Sequence, residues 1–151
     1  MASLQALNLQ GVTLTPKFIF GVNGEIPNSL FMLDERRLLY IAGHNVVIYN
    51  TDERKQTFIQ GSENSNGINF ITVSHCKRFL AICERGEVKA MVTIHDFTSG
   101  KIKILPENEY DHSDFTAKEF LSCAFSPKNQ KQNLMTLCGT PDWCLLFWQW
   151  D

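Results

Sequence analysis

From residue 29 onward the chain alternates short apolar runs with turns built from Gly, Asn, Asp, Pro or charged pairs, the punctuation of β-strands. The runs cover 29–33, 37–42, 45–49, 56–59, 68–74, 79–83, 91–97, 101–105, 120–125, 133–138 and 144–150. That many strands in 151 residues leave little room for helix. Several runs, such as Leu38-Leu39-Tyr40-Ile41 and Cys144-Leu145-Leu146-Phe147-Trp148, are continuously apolar. Strands of that kind are covered on both faces.

Antiparallel hairpins meet this condition when small sheets stack face to face, as propeller blades do, whereas a one-sided sandwich alternates more cleanly. The strands also repeat in groups of four. One strand of each group carries an aliphatic pair followed by an aromatic or polar end: Val46-Val47-Ile48-Tyr49-Asn50, Met91-Val92-Thr93-Ile94-His95-Asp96 and Leu145-Leu146-Phe147-Trp148-Gln149. Tyr49, His95 and Trp148 are 46 and 53 residues apart, slightly longer than the ~40–45 residues of a WD-type blade, an excess that loop insertions supply. A second position repeats as well, in Ile71-Thr72-Val73-Ser74 and Cys123-Ala124-Phe125-Ser126-Pro127, each followed by a basic turn and another apolar strand.

The pattern therefore predicts an all-β chain, a partial propeller of about two and three-quarter blades of four-stranded antiparallel sheet. Residues 1–27 are a lead-in with a strand near 17–20. Blades follow at 28–61, 62–106 and 107–151, the last without its outer strand. A closed ring needs at least about four blades, so the length that first looks like one ordinary domain reads as part of a larger propeller, the rest of which is a required partner.

Composition removes several function classes. Fourteen Lys and Arg against sixteen Asp and Glu give a net charge of −2, which offers no global pull toward nucleic acid or anionic membrane. No apolar run approaches the roughly 18 residues that span a bilayer, and the first ten residues lack the features of a signal peptide, so the chain reads as soluble and unprocessed. The five cysteines, 76, 83, 123, 138 and 144, are an odd set for a disulfide framework and point to a reducing compartment. Four of them lie in or beside apolar runs, where a free Cys acts as a small buried hydrophobe.

The third group resembles the WD-repeat family most closely. In that family a His in the loop entering the blade, a Ser or Thr ending the second strand, an Asp in the next turn and a Trp on the third strand hydrogen-bond together. His112, Thr140, Asp142 and Trp148 match that set, with Thr-x-Asp and then six residues to Trp. A buried imidazole, hydroxyl and indole N–H must all find partners, and Asp142 can accept two hydrogen bonds at once, so the set is expected to staple the blade and not to catalyse. The first two groups have Tyr49 and His95 in the Trp position and no Asp six residues before either. Their blades are expected to be held by packing alone.

Beyond the generic blade, the colinear order of several pieces resembles the amino-terminal part of the ciliary WD-repeat scaffolds. These pieces are Lys17-Phe18-Ile19-Phe20-Gly21, Leu33-Asp34-Glu35, Gly43-His44-Asn45, Phe58-Ile59-Gln60-Gly61-Ser62-Glu63, Arg78-Phe79-Leu80-Ala81-Ile82, Ala124-Phe125-Ser126-Pro127 and Leu146-Phe147-Trp148-Gln149-Trp150. The resemblance implies a non-enzymatic axonemal scaffold, with tandem propellers followed by coiled coil, that helps place inner-arm dyneins and regulatory complexes on doublet microtubules. It implies residence in the cytoplasm and the ciliary or flagellar axoneme. No heptad segment is present in this chain.

No catalytic, cofactor-binding or metal-binding residue is expected. Ser74-His75-Cys76 places three reactive side chains in a row, but neighbours on a strand end point to opposite faces, and a turn is the simpler reading. The cysteines lack the close pairing of a zinc site. The Gly-rich stretches 21–24 and 61–67 lack the Lys-Ser/Thr of a phosphate loop. One surface invites a binding reading: Glu107, Glu109, Asp111, Asp114 and Glu119 face a single Lys118, forming an expected acidic ridge between two blades suited to a basic partner. The competing classes are a WD-repeat adaptor unrelated to cilia and a propeller enzyme working in the central channel. The latter should place His, Asp or Arg on successive inner strands, which this sequence does not visibly do.

Overall fold

The computed structural model describes residues 7–9, 12–14, 16–106, 115–127 and 133–149. Among them thirteen strands form and no helix. The strands β1 (Leu7–Leu9) and β2 (Val12–Leu14) pair as a hairpin. A four-stranded antiparallel meander follows, with β3 (Leu30–Met32), β4 (Arg37–Ala42), β5 (Asn45–Asn50) and β6 (Lys55–Gln60) in chain order. The second meander repeats the order with β7 (Ser65–Val73), β8 (Phe79–Gly86), β9 (Met91–Asp96) and β10 (Ile102–Leu105). A third sheet holds β11 (Phe120–Phe125), β12 (Asn133–Cys138) and β13 (Leu145–Gln149).

Register decides which side chains meet. In the first sheet Leu39 lies opposite Ile48 and Ile41 opposite Val46, and this face packs on Ile71, Leu80 and Ile82 of the second. The other face of the second sheet, where Ala81 opposes Ile94 and Cys83 opposes Val92, packs on Phe120, Cys123, Leu134 and Cys138 of the third. The middle sheet is thus covered twice, so every residue of β8 from Phe79 to Glu84 is buried. That is the physical origin of the continuous apolar runs. Burial of Leu or Ile side chains contributes about 1.5–3 kcal/mol each, and stacking in chain order lets each sheet contribute to two cores.

The outer faces of the end sheets differ. On the third sheet Met135, Leu145 and Phe147 stay 43%, 65% and 61% exposed, and β13 alternates exposed and half-buried residues. The first sheet's outer face, with Ala42, Val47 and Phe58 buried and Tyr40 beside them, is instead covered by Ile19.

The strand expected near 17–20 does not form; residues 16–23 are irregular and cross that outer face as a strap. The reason is a side chain in place of a partner strand. Gln56 Oε1 accepts the Ile19 N–H at 2.7 Å and Gln56 Nε2 donates to the Ile19 carbonyl at 3.0 Å, taking both backbone groups that a ladder would use.

Candidate functional site at the blade junctions

At the junction of the second and third sheets, Asp142 sits in the turn between β12 and β13. Its carboxylate accepts the Thr116 N–H at 2.6 Å, the Thr116 hydroxyl at 3.0 Å and the Ala117 N–H. The segment entering the third sheet is thereby pinned to that sheet's far turn. The Thr116 N–H, above all, holds the Asp142 carboxyl below its ordinary value of 3.8, aided by the Ala117 N–H, the Thr116 hydroxyl and the Lys89 charge.

A group with a depressed folded pKa stabilises above its unfolded value and loses that contribution as pH falls through the folded one. Thermal melts taken from neutral pH into acid should therefore drop below about pH 4, the ordinary carboxylate range. Asp142→Asn should flatten that limb; an acid limb identical to wild type would show that Asp142 does not contribute to it.

Trp148 lies on the strand after that turn. Its indole N–H donates to Thr136 Oγ1 at 2.9 Å. Its ring meets Phe115 and Phe120 edge-on, at centroid distances of 6.2 and 6.3 Å. Phe115 also carries the Lys89 ammonium 4.2 Å from its ring centre, within the range of a cation–π contact. Lys89, only 2% exposed, stands six residues before His95, where Asp142 stands before Trp148. It reaches across the junction to the ring of the next blade's entry segment.

Of the four residues expected as a staple, Asp142 and Trp148 occupy this junction, Thr140 lies exposed in the turn, and His112 falls outside the described residues. The hydroxyl that receives the indole N–H belongs to Thr136. Thr136 is two residues from Leu134, which opposes Trp148, so strand alternation puts its side chain on the indole's face. That period was legible in the sequence. Thr116 was not, because its role depends on how the entry segment crosses the turn.

The first junction is held by more than packing, contrary to the expectation for a blade without the Asp. Glu84, on β8 and 1% exposed, accepts three hydrogen bonds from the connection between the first and second sheets. These come from the Ser62 N–H at 2.7 Å, the Ser62 hydroxyl at 2.8 Å and the Ser65 hydroxyl at 2.8 Å. His44, in the β4–β5 turn, brings Nε2 to 2.9 Å from the Ser62 carbonyl, closing the cluster onto the first sheet. Gly61 fits beneath it because a Cβ there would lie 2.5 Å from His44 Cε1 and 2.8 Å from Glu84 Oε1. A carboxylate from the second strand does here what the turn carboxylate does one blade later. It was missed because Glu84 lies at the end of an apolar strand and not at the turn position the repeat singles out.

Of the acidic ridge, Glu107, Glu109, Asp111 and Asp114 lie outside the described residues. Glu119 is half-buried, and its carboxylate takes both Nε, at 3.0 Å, and Nη2 of Arg85, while its carbonyl accepts the Gly139 N–H at 3.0 Å. It therefore ties the second sheet to the third.

No disulfide joins the cysteines among the described residues. Burial, followed by its hydrogen bond to Cys123, pushes the Cys83 thiol well up. Burial and a hydrogen bond to Cys144 push Cys138 up to about 12. Ser74, His75 and Cys76 belong to the β7–β8 connection, where the Ser74 hydroxyl accepts the Phe79 N–H at 2.9 Å. Among the described residues no three His, Cys, Asp or Glu side chains are grouped to hold a metal.

Consecutive antiparallel meanders stacked in chain order, with the segments entering the second and third sheets each stapled by a carboxylate of the blade they enter, define a partial WD-type β-propeller. No family model matches the chain. It is 34% identical over 133 residues to cilia- and flagella-associated protein 57 of Mus musculus, a match covering 88% of the chain and 10% of that protein. It is 35% identical over 136 residues to cilia- and flagella-associated protein 57 C of Tetrahymena thermophila, covering 89% of the chain and 10% of the relative. Cilia- and flagella-associated protein 44 of Mus musculus is 29% identical over 142 residues, covering 91% and 7%. The chain belongs to the family of cilia- and flagella-associated protein 57, and it spans about a tenth of the length of these relatives. Among solved structures, a chain of a mitotic checkpoint complex superposes with a TM-score of 0.48 at 12% identity, covering 88% of this chain and 42% of that one.

Proposed function

We propose that this chain is part of a propeller that serves as a non-enzymatic interaction scaffold in the cilium or flagellum. The observation that carries the reading is the similarity to cilia- and flagella-associated protein 57 across nearly the whole chain. The ciliary placement comes from the names of those relatives. The finer role, helping to position inner-arm dyneins and regulatory complexes on doublet microtubules, rests on the resemblance drawn from the sequence. The bare face of the third sheet, with Met135, Leu145 and Phe147 exposed, suits a further sheet of the same propeller as its immediate partner. The acidic stretch from Glu107 to Asp114 suits a basic axonemal partner.

The test is fractionation of the tagged full-length protein from ciliated cells. It should stay with demembranated axonemes, and exchanging Glu107, Glu109, Asp111 and Asp114 for Gln or Asn should release it at lower salt without changing its melting temperature. A protein that washes out with the soluble fraction would overturn the axonemal reading, and unchanged salt resistance of the variant would remove the acidic stretch from the contact.

A further inference from the structure

The end of the first sheet remote from Glu84 carries a different surface. A cavity of about 620 Å³ opens between the strap and the β5–β6 hairpin, lined by Lys17, Arg37, Arg54 and Lys55 against one carboxylate, Glu53, with Ile48 in its wall. This is a strongly positive site on a chain of net charge −2. Two of its cations are already shared: Arg37 Nε sits 2.6 Å from Asp34, and Lys55 Nζ sits 3.5 Å from Glu53. Lys17 and Arg54 have no such partner among the described residues.

The site is also held in shape. Gln56 grips the strap at Ile19 through two hydrogen bonds, two residues from Lys17, which fixes one wall. On the other wall Arg54 has a φ of 53°, in the left-handed region that glycine adopts freely and a side chain does not. Asn28, Lys77 and Trp143 share this conformation in other turns, so what sets Arg54 apart is its uncompensated charge beside the cavity. Alongside runs β6, an edge strand paired only to β5. Its outer backbone groups are available to an extended peptide, and they do not match nucleic acid.

We infer that this cavity binds an acidic peptide segment of a partner protein, its carboxylates meeting Lys17 and Arg54 while its backbone lies along β6. The inference is independent of the ciliary reading and of the acidic stretch from Glu107 to Asp114.

The experiment is fluorescence anisotropy with the purified full-length protein and a labelled oligoglutamate peptide. Saturable binding that weakens with salt is expected. Lys17→Ala with Arg54→Gly should weaken it about tenfold or more, as removal of two charge contacts does. Lys101→Ala, an exposed lysine in the β9–β10 turn of the second sheet, should leave it unchanged. Because glycine suits the turn, Arg54→Gly should melt no lower than wild type, so lost binding is not lost folding. Unchanged affinity of the double variant, an equal loss in Lys101→Ala, or equally tight binding of a DNA duplex at the same residues would each overturn the assignment.

Discussion

Gly86→Ala is expected to lower the stability of the folded chain by about 3 kcal/mol or more, beyond the usual range for one added methyl group in a packed region. Gly86 ends β8, where the chain turns back toward β9, and a Cβ there would overlap the Lys89 carbonyl oxygen and fall 2.8 Å from its carbonyl carbon. Both are backbone atoms, so no side-chain rotation relieves the clash. The same turn is tied across the junction, since the Gly86 N–H donates to the Lys118 carbonyl at 3.0 Å and the Ala90 N–H to the Ala117 carbonyl at 2.9 Å. Displacing the turn therefore breaks contacts to the next blade and shifts the Lys89 ammonium from Phe115. Chemical denaturation of wild type and Gly86→Ala is the measurement; a change within about 0.5 kcal/mol, the scale of ordinary surface substitutions, would show that the turn has room the geometry denies.

Glu84→Ala should cost about 3 kcal/mol, the upper end of the range of about 1–3 kcal/mol for leaving buried donors without their acceptor. The carboxylate is the acceptor for the Ser62 N–H and for two hydroxyls, and alanine leaves those donors without it while opening a cavity beneath His44. The pairing is separable by a double-mutant cycle. Ser62→Ala and Ser65→Ala should each cost less than Glu84→Ala, and adding either to Glu84→Ala should cost less than it does alone, because the interaction is already gone. Strict additivity in denaturant melts would mean that Glu84 and the serines do not act as one cluster.

Both sites expose the limits of reading by repeat position. Aligning the blades on Tyr49, His95 and Trp148 led to Asp142, whose carboxylate meets Thr116 and Ala117, and left the second blade with no polar anchor because Lys89 occupies the Asp position. Yet the second blade has a carboxylate anchor from a different strand. A carboxylate that accepts backbone and hydroxyl protons needs only to reach the connection, and Glu84 reaches it from the end of β8. Thr136 shows the opposite case: its facing toward Trp148 follows from alternation alone, but Thr-x-Asp drew the assignment to Thr140, which the turn leaves in solvent. The strap was misread as a strand because Phe18-Ile19-Phe20 has strand composition, while the backbone of Ile19 is met by a glutamine side chain and not by a strand.

From residue 29 onward the sequence alone determined the strands, their grouping and their stacking. Short apolar runs between turn residues make strands, and runs apolar at every position require sheets covered on both faces, as β8 is. These are local and statistical properties, repeated along the chain, so they survive without coordinates. What only the tertiary structure decided is how each blade is fastened to the next: Glu84 under Ser62, Thr116 on Asp142, Lys89 over Phe115, and the strap beside the cationic cavity. Each joins residues distant in sequence through one or two atoms. Such contacts depend on where a connection crosses a sheet, a matter of a few ångströms that no period or composition records.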